Sequence, residues 1–155
     1  MSTTLKDFLD NNGVRYVSIS HSKAFTANEV AASVHVPGKE MAKTVMVKLD
    51  GRMAMAVVPA SLRVSLEQLR DAIGAHEVTL ADEDEFKVLF PDCEVGAMPP
   101  FGNLYGLEVY VADVLAEDEQ ISFNAGNHTE IIRLRYADFE RLVRPHVMTF
   151  AAQRV

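Results

Sequence analysis

The chain has 155 residues, with 15 Lys and Arg against 22 Asp and Glu, a formal net charge of -7, 48% hydrophobic residues and a single cysteine. That length supplies one core and not two, and a mean hydropathy of +0.03 speaks against both a disordered chain and a membrane protein. Cys93 alone forms neither an intramolecular disulfide nor a four-thiolate zinc site, which fits a reducing, cytoplasmic setting.

Leu5, Phe8 and Leu9 line one side of a predicted helix that stops at Asn12-Gly13, where glycine takes the left-handed conformation a helix end requires. Residues 14–19 read as a strand. Thr26 and Glu29 have the spacing of a capping box, so a helix is expected over 27–34, broken by Pro37-Gly38. Residues 41–49 and 52–58 are strand-like runs joined by Asp50-Gly51, a dipeptide favoured in two-residue hairpin turns because both positions need positive φ. Ser65 and Gln68 repeat the capping spacing ahead of Leu66, Leu69, Ala72 and Ile73, a helical stripe that ends at Gly74. Asp82 and Glu85 repeat it before Phe86, Leu89 and Phe90, with Pro91 as the stop. Residues 77–80, 107–111, 120–124 and 130–134 read as strands, and a last helix starts near Ala137. Strands in hairpin-like order with irregularly interspersed helices predict a single α+β domain over residues 1–155, and not a doubly wound parallel sheet.

The charge is unevenly spread: +2 over residues 1–75, -11 over 76–119 and +2 over 120–155. A basic surface built from the two ends therefore stands open beside a solvated acidic middle with no partner. No predicted helix clusters basic side chains, which argues against sequence-specific DNA binding. No apolar run approaches the ~20 residues of a spanning helix, and residues 1–7 lack the basic-then-apolar order of a secretory signal.

Three stretches invite chemistry. On the strand 41–49, Lys43 shares a face with Met41, Val45, Val47 and Leu49. An ammonium on such a row either reaches solvent along its stem, finds a carboxylate, or lines a polar pocket. The segment Gly96-Ala97-Met98-Pro99-Pro100-Phe101-Gly102 is stiffened by proline, and its glycines let backbone N–H groups approach a ligand oxygen such as an ester carbonyl or a phosphate; an ordinary connector is the other reading. Asn124-Ala125-Gly126-Asn127-His128-Thr129 is a polar turn whose histidine is a general base, a substrate ligand, or an exposed side chain. The five histidines are scattered, and there is no nucleophile elbow, P-loop or Gly-x-Gly-x-x-Gly run, so no metal or nucleotide cofactor is expected. Cys93, between Asp92 and Glu94, lacks the positive surroundings that activate a thiol and reads as structural.

In this order the three segments resemble the YbaK family of aminoacyl-tRNA deacylases, which includes the editing domain of bacterial prolyl-tRNA synthetases. Residues 42–47 (Ala-Lys-Thr-Val-Met-Val) resemble the family's Lys-Thr strand, residues 95–102 its Gly-x-x-x-Pro loop, and residues 124–128 its late glycine turn, with His21 to Thr26 ahead of a capped helix. The resemblance implies a curved, barrel-like mixed sheet with flanking helices, whose pocket takes the 3′ end of a mischarged tRNA and hydrolyses its aminoacyl ester. It implies Lys43 as the main functional side chain, and Thr26, Gly96, Pro99, Phe101, Gly102, Asn124, Gly126 and His128 as substrate contacts. It implies no cofactor, no DNA and no membrane partner, and an aminoacyl-tRNA synthetase as a further partner. A free-standing deacylase is the expectation, since no synthetase catalytic domain fits in the chain; a non-catalytic tRNA- or synthetase-binding module and a hydrolase of small esters are the alternatives. The run Asn127-His128-Thr129 departs from the better-known branches, and the amino acid accepted stays open.

Overall fold

The Asp50-Gly51 turn organises the largest sheet. The computed structural model describes residues 3–21 and 37–153, and in it Asp50 (φ 49°) and Gly51 (φ 86°) both take the positive φ that their turn demands. The Asp50 carboxylate holds the turn by accepting the backbone N–H groups of Glu77 at 2.8 Å and His76 at 3.0 Å. The turn sets the register of β2 (Ala42–Leu49) on β3 (Arg52–Pro59), from Leu49 opposite Arg52 to Ala42 opposite Pro59.

Ahead of this hairpin, α1 (Thr3–Asn11) leads into β1 (Tyr16–Ser20) through Gly13 at φ 66°. The helix expected over 27–34, with Thr26 and its capping partner, lies outside the described residues. After the hairpin come β4 (Leu62–Val64) and α2 (Leu66–Ile73). Ser65 Oγ accepts Gln68 N–H at 3.2 Å, and Gly74 at φ 80° closes the helix, as the sequence predicts. Next are β5 (Val78–Leu80) and α3 (Glu83–Phe86), where Glu85 Oε1 reaches back to Asp82 N–H at 3.1 Å. The expected helix through Phe90 does not run as one α-helix. After Phe86 it tightens into a 3₁₀ turn at Lys87–Leu89, because Pro91 denies Phe90 the helical region.

The remaining elements are β6 (Glu108–Ala112), α4 (Asp113–Ala116), β7 (Gln120–Asn124), β8 (Glu130–Arg135), α5 (Tyr136–Val143), β9 (His146–Met148) and β10 (Ala151–Gln153). They complete three sheets in the orders β5-β2-β3-β6-β9, β1-β8-β7 and β10-β4. The first is mixed: β3 to β6 and β6 to β9 are parallel, the rest antiparallel. The α+β class with mixed sheet and helices is thus as expected.

Two apolar layers use the two faces of the five-stranded sheet. Ala42, Met46, Met55, Val57, Val109 and Val111 face α1, α5 and the inner side of the three-stranded sheet. Val47, Leu49, Ala54, Ala56, Val58 and Tyr110 face Leu69 of α2 and Phe150. The two larger sheets meet at one parallel rung, Met41 with Ser122, where Ser122 N–H donates to Glu40 O at 2.9 Å. Among the described residues no helix is long and apolar enough to cross a membrane.

Candidate active site

The glycine loop and the late turn, some thirty residues apart, are bonded into one body. Glu94 N–H donates to Gly126 O at 2.7 Å and Gly126 N–H donates to Ala97 O at 2.9 Å. His128 is 5% exposed and its Nε2 lies 2.9 Å from Val95 O. A carbonyl only accepts, so Nε2 carries the proton and donates. His128 N–H in turn donates to Glu94 Oε1 at 3.2 Å. Gly96 (φ 85°) and Gly126 (φ 100°) supply backbone shapes that a residue with a Cβ resists. The exposed reading of His128 is therefore overturned: the ring is a brace beneath Gly96, and an added Cβ there would sit 3.6 Å from its Cε1.

Gly96 is exposed, and its N–H points at the thioether of Met98, 3.3 Å away. Sulfur is a weak acceptor, so this donor is held only loosely. Pro99 is buried and, with Pro100, offers no N–H. Phe101 is walled in by Phe8, Phe123 and Phe139 at centroid distances of 6.3, 5.3 and 5.4 Å. Gly102 packs so tightly that a Cβ would lie 2.7 Å from Val109 Cγ2 and 2.8 Å from Leu107 O. Both are turned into the core, away from the loop's open side. Near the loop's start, burial pushes the Cys93 thiol up to about 11, with the Tyr105 hydroxyl partly offsetting it and Asp92 adding to it, so the cysteine is inert at neutral pH.

Lys43 sits opposite Val58 on β3, on the apolar row the sequence predicts. It is half-buried, and its ammonium donates to Leu62 O at 3.2 Å. The Met41–Ser122 rung runs parallel, so Lys43 and Asn124 each lie two residues beyond it and leave their strands on the same side. The intervening Ala42 and Phe123 both face the inner core. Asn124 is 8% exposed, and its buried Oδ1 has no hydrogen-bond partner among the described residues. One step away, Ser122 accepts the Nε–H of Arg133 at 3.3 Å. The structure thus joins residues 94–97 to 126–128, with Asn124 at the end of β7, the strand that leads into that turn, and Lys43 on the same side of β2, which meets β7 at the Met41–Ser122 rung.

His21 N–H donates to Thr129 O at 2.8 Å, so the early segment also starts beside the late turn, while Thr26 lies outside the described residues. Sequence reasoning missed Ser122 and Arg133. The alternation Ile131, Arg133 against Ile132, Leu134 was the available signal, since it puts the arginine on the face shared with Asn124. Among the described residues no cluster of three or more His, Cys, Asp or Glu side chains is arranged to hold a metal ion.

Residues 21–142 match the family model described as an aminoacyl-tRNA editing domain. The chain is 26% identical over 147 residues to the multifunctional Ser/Thr-tRNA deacylase ProXp-y of Escherichia coli strain K12, covering 92% of this chain and 87% of that protein. A proline–tRNA ligase of Bacillus mycoides strain KBAB4 is 29% identical over 85 residues, which is 55% of this chain and 15% of the ligase. Two crystal structures share the fold. A candidate trans-editing enzyme for prolyl-tRNA synthetase superposes with a TM-score of 0.81 at 18% identity, over 100% of this chain and 99% of the other. A hypothetical protein superposes with a TM-score of 0.84, also at 18% identity, over 95% of this chain and 98% of the other.

Proposed function

The chain belongs to the aminoacyl-tRNA editing domain family and is an aminoacyl-tRNA deacylase, an ester hydrolase acting on mischarged tRNA; from that premise we propose how its residues share the work. The observation that carries the proposal is the bonded pair of loop and turn at the end of β7, where Asn124 leaves its strand on the same side as Lys43 leaves β2. The terminal aminoacyl-adenosine lies across that side. Water adds to the ester carbonyl, the carbonyl oxygen gains negative charge, and the bond to the ribose oxygen breaks as that oxygen takes up a proton. The products are the free amino acid and a tRNA with its terminal hydroxyl restored.

Gly96 N–H exchanges Met98 sulfur for the developing oxyanion, and the Lys43 ammonium orients the ester beside it. Donors aimed at charge that exists only in the transition state act most strongly where water is thin. Asn124 Oδ1 accepts an N–H or O–H of the substrate, which ends its buried isolation. Gly126, Pro99 and His128 hold the loop in shape, and Phe101 and Gly102 serve packing. With no side-chain base assigned, a ribose hydroxyl or a held water supplies the remaining proton transfer through proximity.

We assign the reaction to the cytoplasm, acting in trans on tRNA released from a synthetase. The near full-length match to ProXp-y supports this, and the partial match to proline–tRNA ligases supports a prolyl-tRNA synthetase as the partner. The test is a deacylation screen over tRNAs carrying Ala, Cys, Ser, Thr and Pro. Lys43→Ala is expected to lower the rate on the preferred substrate by about 10²-fold, the scale of misplacing a reacting group by about 1 Å. An unchanged rate would remove Lys43 from the site.

A further inference from the structure

We propose that Arg133 receives a phosphodiester of the tRNA 3′ end, the one on the 5′ side of the terminal adenosine. The idea rests on the editing function above and adds to it a residue and a ligand group. Arg133 lies in the middle of β8, opposite Ser122 on β7 and Val17 on β1. Its side chain therefore leaves the sheet on the face of Ser122 and Asn124, while Ile132 and Leu134 on either side point into the core.

The guanidinium is half-buried and is held through Nε by Ser122 Oγ at 3.3 Å, with no carboxylate partner among the described residues. The acid of the same strand, Glu130, projects from the other face, where Lys6 at 3.0 Å and the Ser18 hydroxyl engage it. Val17, the neighbour on the edge strand, is 55% exposed, so the guanidinium has an open flank. A fixed, partly desolvated guanidinium with no counter-ion among the described residues presents its remaining N–H groups to an oxyanion, and the planar fork matches phosphate.

The chemistry of the substrate selects which anion this is. The carboxyl group of the amino acid is esterified and carries no charge, and its α-amino group is cationic. The anions nearest the ester are the phosphodiesters. Arg133 and Lys43 stand on opposite sides of Asn124, with Cα atoms on the order of 10 Å apart by strand spacing and rise. Both side chains are long, so one nucleotide bridges them, with its ester at Lys43 and its 5′ phosphate at Arg133.

The experiment compares wild type, Arg133→Gln and Arg133→Lys on two substrates, mischarged tRNA and 3′-O-aminoacyl-adenosine, which has no phosphate. It also measures binding of 5′-AMP against adenosine. Expected for Arg133→Gln is a loss of about tenfold or more in kcat/KM on tRNA, a salt dependence shallower by about one phosphate contact, and an unchanged rate on aminoacyl-adenosine. Arg133→Lys restores part of the loss. Wild type binds 5′-AMP more tightly than adenosine, and Arg133→Gln binds them alike. Equal loss on both substrates would make Arg133 a structural residue and overturn the proposal, as would a wild type indifferent to the phosphate. An enzyme that prefers 5′-AMP through Arg133 yet deacylates none of the tRNAs would instead overturn the proposed function and leave the phosphate site standing.

Discussion

His128 Nε2 donates to Val95 O across 33 residues of sequence, at 2.9 Å and in a ring position only 5% exposed. Removing the ring strands a carbonyl and opens a void beneath Gly96. His128→Ala is expected to cost about 2 kcal/mol in chemical denaturation, the scale of an unsatisfied buried group. Deacylation should fall with it at temperatures where the variant is fully folded. A variant that keeps full activity while losing stability would show that the brace serves the fold alone.

The two glycines that bound the loop should respond differently to alanine. At Gly102 the added methyl meets Leu107 O at 2.8 Å, which is backbone and cannot step aside, so overpacking of about 1–3 kcal/mol is expected in stability. At Gly96 there is room, and the cost is the positive φ, about 1 kcal/mol. Gly96→Ala should nevertheless be the slower enzyme per folded molecule, because relaxing the positive φ turns the N–H of residue 96 away from the substrate oxygen. Thermal melts beside single-turnover rates separate the two effects.

Local chemistry made half of this molecule legible and non-local chemistry hid the rest. Asp50-Gly51, Ser65 with Gln68, and Gly74 carry their instructions within a few residues, and each does what its neighbours dictate. The strands Leu62–Val64, His146–Met148 and Ala151–Gln153 have three residues each, too few for an alternating pattern to emerge. The parallel neighbours of β6 were equally invisible, since a crossover leaves no turn signature. The same division holds at the site. The apolar row around Lys43 could be counted along one strand. The Leu62 carbonyl that meets its ammonium, and the Val95 carbonyl that buries His128, come from elsewhere in the chain.

Acid should loosen the hairpin through Asp50. The backbone N–H groups of Glu77 and His76 hold its carboxyl below the ordinary carboxylate range. A depressed folded value means that the stabilisation is complete above the unfolded value, near pH 4, and is lost as pH falls through the folded one. Asp50→Asn should therefore lose stability at neutral pH and flatten the fall below pH 4, as read from denaturation midpoints over pH 2–7. Parallel curves for the two proteins would refute the assignment.

Thiol reagents should find Cys93 slow. With the thiol pushed up to about 11 by burial, the labelling rate at neutral pH should be far below that of a free cysteine and should climb about tenfold per pH unit toward that value. Cys93→Ser should deacylate at the wild-type rate. Fast labelling at pH 7 would require an opened loop.

Gly126 both gives and takes a backbone hydrogen bond across to residues 94–97, so neither segment can wander without the other. The conformational entropy of this pair is surrendered when the chain folds, not when the ester arrives. A catalyst that meets rare, wrongly loaded tRNA at low concentration profits from that timing, since each encounter finds the donors already aimed.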